Sequence, residues 1–129
     1  MSKTINSLAE TLGNALSQCD AKVTAAESCT GGGVAHAITG VAGSSKWFDC
    51  GFVTYANSAK QAMLGVPQEM LASQGAVSEA VVRSMVAGAA VAADADYAVA
   101  ISGIAGPGGG TEDKPVGTVW FAWHSPAGV

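Results

Sequence analysis

The chain has 129 residues, of which 49% are hydrophobic and 12% are charged. This balance predicts one globular domain with a sizeable core and excludes a disordered polypeptide. A net charge of −4 without any stretch rich in Lys and Arg argues against nucleic acid or an anionic membrane as a partner, and no apolar run is long enough to span a bilayer. Three cysteines without a CxxC pair predict reduced thiols in a cytoplasmic protein.

The first half of the chain predicts helices that alternate with strands. Apolar residues three or four apart indicate an amphipathic helix over 4–18, and a short β-prone run follows at 22–26. A second helix is predicted over 30–39 despite its glycine-rich start. A loop at 40–46 then leads to a second strand over 51–55, where aromatic and β-branched residues gather.

The second half continues the alternation. Asn57 is expected to cap a helix over 57–64 that Gly65 ends, and Pro67 to open a helical turn over 67–73. Ser78 is the predicted N-cap of the clearest helix, over 78–93. A buried strand at 97–101, a glycine-rich loop at 102–114 and a last strand at 116–123 complete the chain.

This order predicts an α/β fold, a three-layer α/β/α sandwich around a mostly parallel (mixed) sheet, in a single domain over residues 1–129. In such folds ligands gather at the carboxyl ends of the strands, and Ser28, Tyr55 and Ser102 each follow or end a predicted strand. The last strand lies close to the chain end. We therefore expect its sheet to be completed either by a partner chain or by residues beyond 129.

The turn that contains Ser28 is the strongest chemical signal, because a serine followed by glycines suits either a nucleophile with its oxyanion hole or a cradle for an anion. His36 is about 12 Å away along its helix and His124 has no patterned aspartate, so a histidine triad is weak. Lys60 is the alternative base, since a helix N-terminus and burial both lower a lysine pKa. Tyr55 could relay its proton or orient it.

Each of these residues also has a purely structural interpretation. Ser28 could be a helix N-cap, Lys60 a surface lysine and Tyr55 an amphipathic residue at a strand edge. Cys29 is a rival nucleophile, and Glu27 is expected at most to orient the turn.

Three small-residue segments offer backbone N–H groups and hydroxyls to a phosphate or an oxyanion. None has the spacing of a nucleoside-triphosphate loop or a dinucleotide fingerprint, and no cluster has metal-ligand spacing, so neither a metal nor a cofactor is expected. The candidate substrate-binding residues are Thr30, Gly31 and Gly32 in the first segment, Gly43, Ser44 and Ser45 in the second, and Ser102, Gly103, Ile104, Ala105 and Gly106 in the third.

Five motifs together resemble the CinA C-terminal domain family. They are AESCTGG at 26–32, GFVTYANSAK at 51–60, GAVSE at 75–79, SGIAGPGGG at 102–110 and KPVGTVW at 114–120. The resemblance covers nearly the whole chain, in the family's order. It implies the family's three-layer sandwich and its frequent homodimer. Family members usually add a strand and a helix, which carries an arginine near the active site, and neither lies in these 129 residues.

The resemblance also implies a nicotinamide-nucleotide amidase, which converts nicotinamide mononucleotide into nicotinate mononucleotide and ammonia. In the family's terms Ser28 is the nucleophile, and Lys60 and Tyr55 are its partners. The substrate is a small nucleotide, with no nucleic acid or membrane as partner. Two alternatives stay open: a non-catalytic module for nucleotide binding or dimerisation, and hydrolysis of another amide by the same residues.

Overall fold

The computed structural model describes residues 4–129, in which helices and strands alternate as predicted. The helices are α1 (Ile5–Gln18), α2 (Gly33–Thr39), α3 (Asn57–Leu64), α4 (Gln68–Gln74) and α5 (Glu79–Ala93), with a short 3₁₀ helix at Ser44–Lys46. The strands are β1 (Val23–Glu27), β2 (Phe52–Val53), β3 (Tyr97–Gly103) and β4 (Val119–His124). No helix in this part of the chain is both long and apolar enough to cross a membrane.

The strands form one sheet in the order β2-β1-β3-β4. β1 is parallel to both of its neighbours, whereas β4 is antiparallel to β3. The predicted mostly parallel, mixed sheet is therefore confirmed. Because β1, β2 and β3 run the same way, their carboxyl ends meet at one edge of the sheet.

Helices cover the two faces of the sheet unequally. On one face α3, α4 and α5 build the larger core, in which Val82, Met85 and Val86 of α5 are fully buried against alanines of the strands. On the other face α1 and α2 pack over β1, with Leu16 and Ile38 in a smaller core. This arrangement gives the three layers that the sequence predicted.

Several predicted boundaries shift for local reasons. The helix predicted over 30–39 begins only at Gly33, because Cys29, Gly31 and Gly32 have positive φ angles of 91°, 62° and 100° and cannot join a right-handed helix. Ala56, not Asn57, is the N-cap of α3, whereas Gly65 ends that helix as predicted, at φ 71°. Thr4 and Ser78 cap α1 and α5 with their side chains.

Two strands also differ in extent from the prediction. β2 is reduced to Phe52–Val53, although the Thr54 N–H still donates to Glu27 O at 2.9 Å. The last strand starts at Val119, three residues later than predicted, because Gly117 turns the chain at φ 93°. Within residues 4–129 this edge strand is not fully covered. Two of its aromatic residues, Phe121 and Trp123, are 52% and 65% exposed.

The contact between α3 and α5 depends on Gly88, because a Cβ atom there would overlap the Leu64 carbonyl group at the end of α3. We expect Gly88→Ala to lower the free energy of unfolding by about 1–3 kcal/mol, the usual cost of overpacking. Urea denaturation measures the change. Gly33→Ala is the matched control, since no atom lies within 4 Å of its added Cβ; an equal effect of both substitutions would contradict the close contact.

Candidate active site

Three hydroxyl side chains lie in one row at the carboxyl ends of β1, β2 and β3. Glu27 is the last residue of β1 that pairs with residues of β2 and β3. The residues that follow on the three strands are Ser28, Thr54 and Ser102. Because neighbouring strands lie about 4.8 Å apart, adjacent members of this row have that separation. The Ser28 N–H extends the ladder by donating to Ile101 O at 2.8 Å. The structure thus brings Ser28 and Ser102 together, as the topology predicted.

The row faces the helical layer formed by α3 and α5. Side chains two residues apart on a strand share a face, and Ala26, Phe52 and Ala100 all pack in the core beneath α5. The row is also shielded from solvent, since Ser28 is 7% exposed, Thr54 0% and Ser102 1%. Hydroxyls in such a place are desolvated, which strengthens any hydrogen bond that they make.

The turn after Ser28 is held by Glu27, which is 1% exposed. Its carboxylate accepts hydrogen bonds from the Thr30 hydroxyl at 2.6 Å and from the N–H groups of Gly32, Val34 and Ala35 at 3.2, 3.0 and 2.9 Å. The carboxylate thus caps the N-terminus of α2, where a negative charge is favourable. Glu27 thus orients the turn, the one role expected for it from the sequence.

This capping decides which groups of the turn are available. Since the Gly32 N–H and the Thr30 hydroxyl both bind Glu27, the start of α2 is already neutralised by a carboxylate of the chain. Cys29, next to Ser28, adopts φ 91°, an uncommon value for a residue with a side chain. Strain of this kind is typical of functional turns that hold one side chain in place.

We expect Glu27→Gln to lower the free energy of unfolding by about 2–4 kcal/mol, because the amide of glutamine would turn an N–H donor toward another buried donor. The midpoint of urea denaturation measures the loss. Glu10→Gln, on the exposed side of α1, is the matched control and is expected to have little effect. Equal midpoints for the two variants would show that the carboxylate does not hold the turn.

Lys60 is 1% exposed, which excludes its interpretation as a surface lysine. Its Nζ donates to the backbone oxygens of Thr54 and Tyr55, at 2.9 and 3.1 Å. The ion pairs among residues 4–129 are Lys22–Asp49 and Arg83–Glu79, so no carboxylate compensates a charge on Lys60. Burial therefore lowers the pKa of its amine below the ordinary 10.5.

The hydrogen bonds of Lys60 suit the uncharged amine. A neutral amine has two hydrogens, which the two carbonyls accept, and one lone pair that is left for another donor. In the parallel ladder the Thr54 carbonyl would otherwise bind the next N–H of β1. Because the chain turns at Cys29, the lysine reaches this carbonyl instead, so its amine lies at the carboxyl end of β2, next to the strand that Ser28 follows.

Tyr55 contributes to this arrangement through its backbone. The Tyr55 carbonyl accepts from Lys60, whereas the side chain is 70% exposed. The role of its hydroxyl as a proton relay stays a prediction. Ser28 does not cap α2, because the N-cap residue is Gly32 and Glu27 supplies the capping oxygens. Cys29 is half-buried and its thiol is free.

The three candidate binding segments are not all at this edge. The loop after β3 is, because a Cβ atom at Gly103 would lie 3.4 Å from Cys29 Sγ. Within that loop the Ile104 N–H donates to Thr118 O, so this amide is engaged by the chain. The segment after Ser28 lies at the same edge, because it belongs to the turn that directly follows β1. Ser102, Gly103, Ala105 and Gly106 thus share an edge with Thr30 and Gly31.

The segment with Gly43, Ser44 and Ser45 lies elsewhere. It directly precedes Trp47, whose carbonyl accepts from the N–H of Val23, the first residue of β1. The structure therefore places this segment at the amino end of β1, whereas Ser28 follows the carboxyl end. A helix that covers a parallel strand runs back along it, so the residues after α2 return to the opposite edge of the sheet.

Two residues at this edge were not singled out from the sequence. Thr54 lies within the segment GFVTYANSAK but carries no chemical signal of its own, and only the register places it beside Ser28. Lys114 is half-buried, and its Nζ donates to Gln74 O at 2.7 Å, close to the start of α5. Among residues 4–129 no group of three His, Cys, Asp or Glu side chains is placed to hold a metal ion.

Comparison with known sequences gives close relatives over most of the chain. The CinA C-terminal domain family matches residues 5–129. The nicotinamide-nucleotide amidohydrolase PncC of Escherichia coli (strain K12) is 63% identical over 121 residues, which are 94% of this chain and 73% of that protein. The protein of the same name from Pseudomonas putida is 57% identical over 119 residues, 92% of this chain and 74% of that one.

Solved structures agree with the sequence relatives. The competence/damage inducible protein CihA from Agrobacterium tumefaciens has a TM-score of 0.94 at 46% identity, covering 100% of this chain and 80% of that one. A CinA superfamily protein from Escherichia coli has a TM-score of 0.91 at 44% identity, covering 95% and 71%. The resemblance inferred from the five motifs is confirmed: this chain belongs to the CinA C-terminal domain family.

Proposed function

We propose that this protein hydrolyses the carboxamide of nicotinamide mononucleotide, releasing nicotinate mononucleotide and ammonia. Relatives that are 63% and 57% identical carry the name nicotinamide-nucleotide amidohydrolase. The observation that carries the proposal is the buried amine of Lys60, which has no ion pair among residues 4–129 and binds the carbonyl of Thr54, the register neighbour of Ser28. A serine next to an uncharged lysine is an established alternative to the histidine triad.

In the proposed mechanism Ser28 Oγ attacks the carboxamide carbon while its proton passes to the lone pair of Lys60 Nζ. The tetrahedral intermediate then collapses, and the protonated lysine returns that proton to the leaving nitrogen, so that ammonia departs. An ester of nicotinate with Ser28 remains. Water, activated by the same neutral amine, hydrolyses the ester and restores both side chains.

The oxyanion of the intermediate needs donors that the chain does not already use. The Gly32 N–H is bound by Glu27, so we assign this role to the N–H groups of Cys29, Thr30 and Gly31. Losing one donor of an oxyanion hole typically costs about 10²–10³ in rate.

We place the substrate phosphate along the loop after β3. Ala105 and Gly106 supply backbone N–H groups there, and Lys114 of the same glycine-rich connection supplies a cation. We do not assign the phosphate to Gly43, Ser44 and Ser45, because that segment precedes Trp47, whose carbonyl binds the amino end of β1. The exposed ring of Tyr55 is available to the nicotinamide ring at the entrance.

Ammonia release from nicotinamide mononucleotide tests the proposal, with isothermal calorimetry on the same protein. Turnover supports the amidase. Binding without turnover would favour a non-catalytic nucleotide-binding module, and turnover of other carboxamides only, in a substrate panel, would favour another amide substrate. Assembly as a homodimer stays a prediction that sedimentation velocity measures.

A further inference from the structure

Two buried hydroxyls beside Ser28 have no assigned partner. The side-chain oxygens of Thr54 and Ser102 lack a hydrogen-bond partner within residues 4–129, although Thr54 is fully buried and Ser102 is 1% exposed. An unpaired buried hydroxyl is destabilising, and such groups are rare in native proteins. A threonine at such a position, where valine has the same shape without the unpaired hydroxyl, suggests a function for that hydroxyl.

Thr54 is the member of the pair that is linked to the base. Its carbonyl accepts from Lys60 Nζ at 2.9 Å, and its N–H donates to β1 at Glu27 O. The Thr54 backbone is thus hydrogen-bonded both to β1, which Ser28 follows, and to the amine of Lys60. Ser102 flanks Ser28 from the other side, on β3, and has no contact of this kind with Lys60.

The hydroxyl of Thr54 is adjacent to Ser28 and free to reorient. The two residues are neighbours in one row, about 4.8 Å apart, and the alternation of the strands turns both side chains toward α3 and α5. The Thr54 oxygen has no partner within residues 4–129, and its χ1 has three staggered wells to choose from. Thr54 is thus close enough to act on the serine without touching the substrate.

We propose that Thr54 is a positioning residue whose hydroxyl donates a hydrogen bond to Ser28 Oγ and so aims the serine O–H at the lone pair of Lys60. During attack the Ser28 proton moves to Lys60 Nζ, and the Thr54 proton stays on its own oxygen. The same hydrogen bond stabilises the negative charge that develops on Ser28 Oγ. This inference rests on the proposed amidase mechanism.

The test is Thr54→Val, which removes the hydroxyl and keeps the shape. We expect kcat to fall about 10- to 100-fold with KM unchanged, because the lost hydrogen bond acts on the nucleophile and not on bound substrate. The urea midpoint is expected to change little, since valine fills the same space and the loss of one hydrogen bond is offset by the removal of a buried hydroxyl. Thr54→Ser keeps the hydroxyl and is expected to retain most of kcat.

Thr24→Val is the matched control. Thr24 is also fully buried, but its hydroxyl donates to Cys50 O at 2.8 Å and lies four residues before Ser28 on β1. It is expected to show the opposite pattern, a lower urea midpoint with unchanged kcat. Unchanged kcat in Thr54→Val, or an equal loss of kcat in Thr54→Ser and Thr54→Val, would overturn the proposal.

A second measurement separates this inference from the proposed substrate. Intact mass spectrometry follows the rate at which a fluorophosphonate, a serine-directed reagent, labels Ser28 in wild type and in Thr54→Val. Slower labelling of the variant supports the role of Thr54 even if nicotinamide mononucleotide is not the substrate. Equal rates overturn it whatever the substrate. A wild type that neither labels nor releases ammonia would refute both proposals.

Discussion

Replacing Ser28 with alanine is expected to reduce ammonia release from nicotinamide mononucleotide by about 10³-fold or more, because no covalent intermediate can form without the hydroxyl. The substitution removes one oxygen from a side chain that is 7% exposed, so the fold is expected to persist. A coupled ammonia assay under substrate saturation measures kcat, and the urea midpoint checks folding.

The matched control is Ser17→Ala, at an exposed position of α1, which is expected to keep wild-type turnover. Near-normal turnover by the Ser28→Ala protein would refute the nucleophile assignment. The variant Cys29→Ala distinguishes the rival nucleophile that lies next to Ser28. If the thiol of Cys29 forms the covalent intermediate, Cys29→Ala and not Ser28→Ala abolishes release of ammonia.

Lys60→Met is expected to lower kcat by about 10²–10⁴-fold, the range for loss of a general acid and base. Because burial lowers the pKa of Lys60, wild-type kcat/KM should rise with pH as the amine loses its proton, with a midpoint below 10.5. Lys60→Arg carries a guanidinium that stays charged throughout, so this rise should be absent. A pH profile of kcat/KM for the three proteins measures both effects.

The pH dependence of stability provides an independent measurement of the lowered pKa of the Lys60 amine. Between the lowered pKa in the folded state and 10.5 in the unfolded state, the unfolded chain binds more protons. The free energy of unfolding should therefore rise with pH through that window, and this rise should be lost in Lys60→Met. Lys22→Met, which removes an exposed lysine paired with Asp49, is the control and should leave kcat unchanged. An unaltered pH profile in Lys60→Met would contradict the role of the amine.

Much of the fold could be predicted because its signals are local. Ser78 caps α5 and Gly65 ends α3 as predicted, since a cap or a left-handed residue acts on the backbone within one turn. The start of α2 could not be predicted in the same way. Its N-terminal N–H groups are satisfied by Glu27, a residue that precedes them and belongs to a strand.

The residue types of the candidate site could be predicted from the sequence, but which residues lie next to one another in it could not. A serine before glycines and a lysine near a helix start stand out in the sequence, and both lie at the carboxyl edge of the sheet. Thr54 does not stand out, because its importance comes from register with Ser28 across two strands. Gly43 and Ser44 resemble a binding loop, but the path of the chain carries them to the other edge.

The order of helices and strands, the family and the turn that follows β1 can all be inferred along the chain, because they depend on short-range backbone preferences and on sequence motifs. Folding in three dimensions is needed to bury Lys60, to bring Thr54 beside Ser28 and to bring one glycine loop, but not another, to the site. Burial and register arise when distant segments pack together, and this packing is what removes water from the amine and aligns the strand ends.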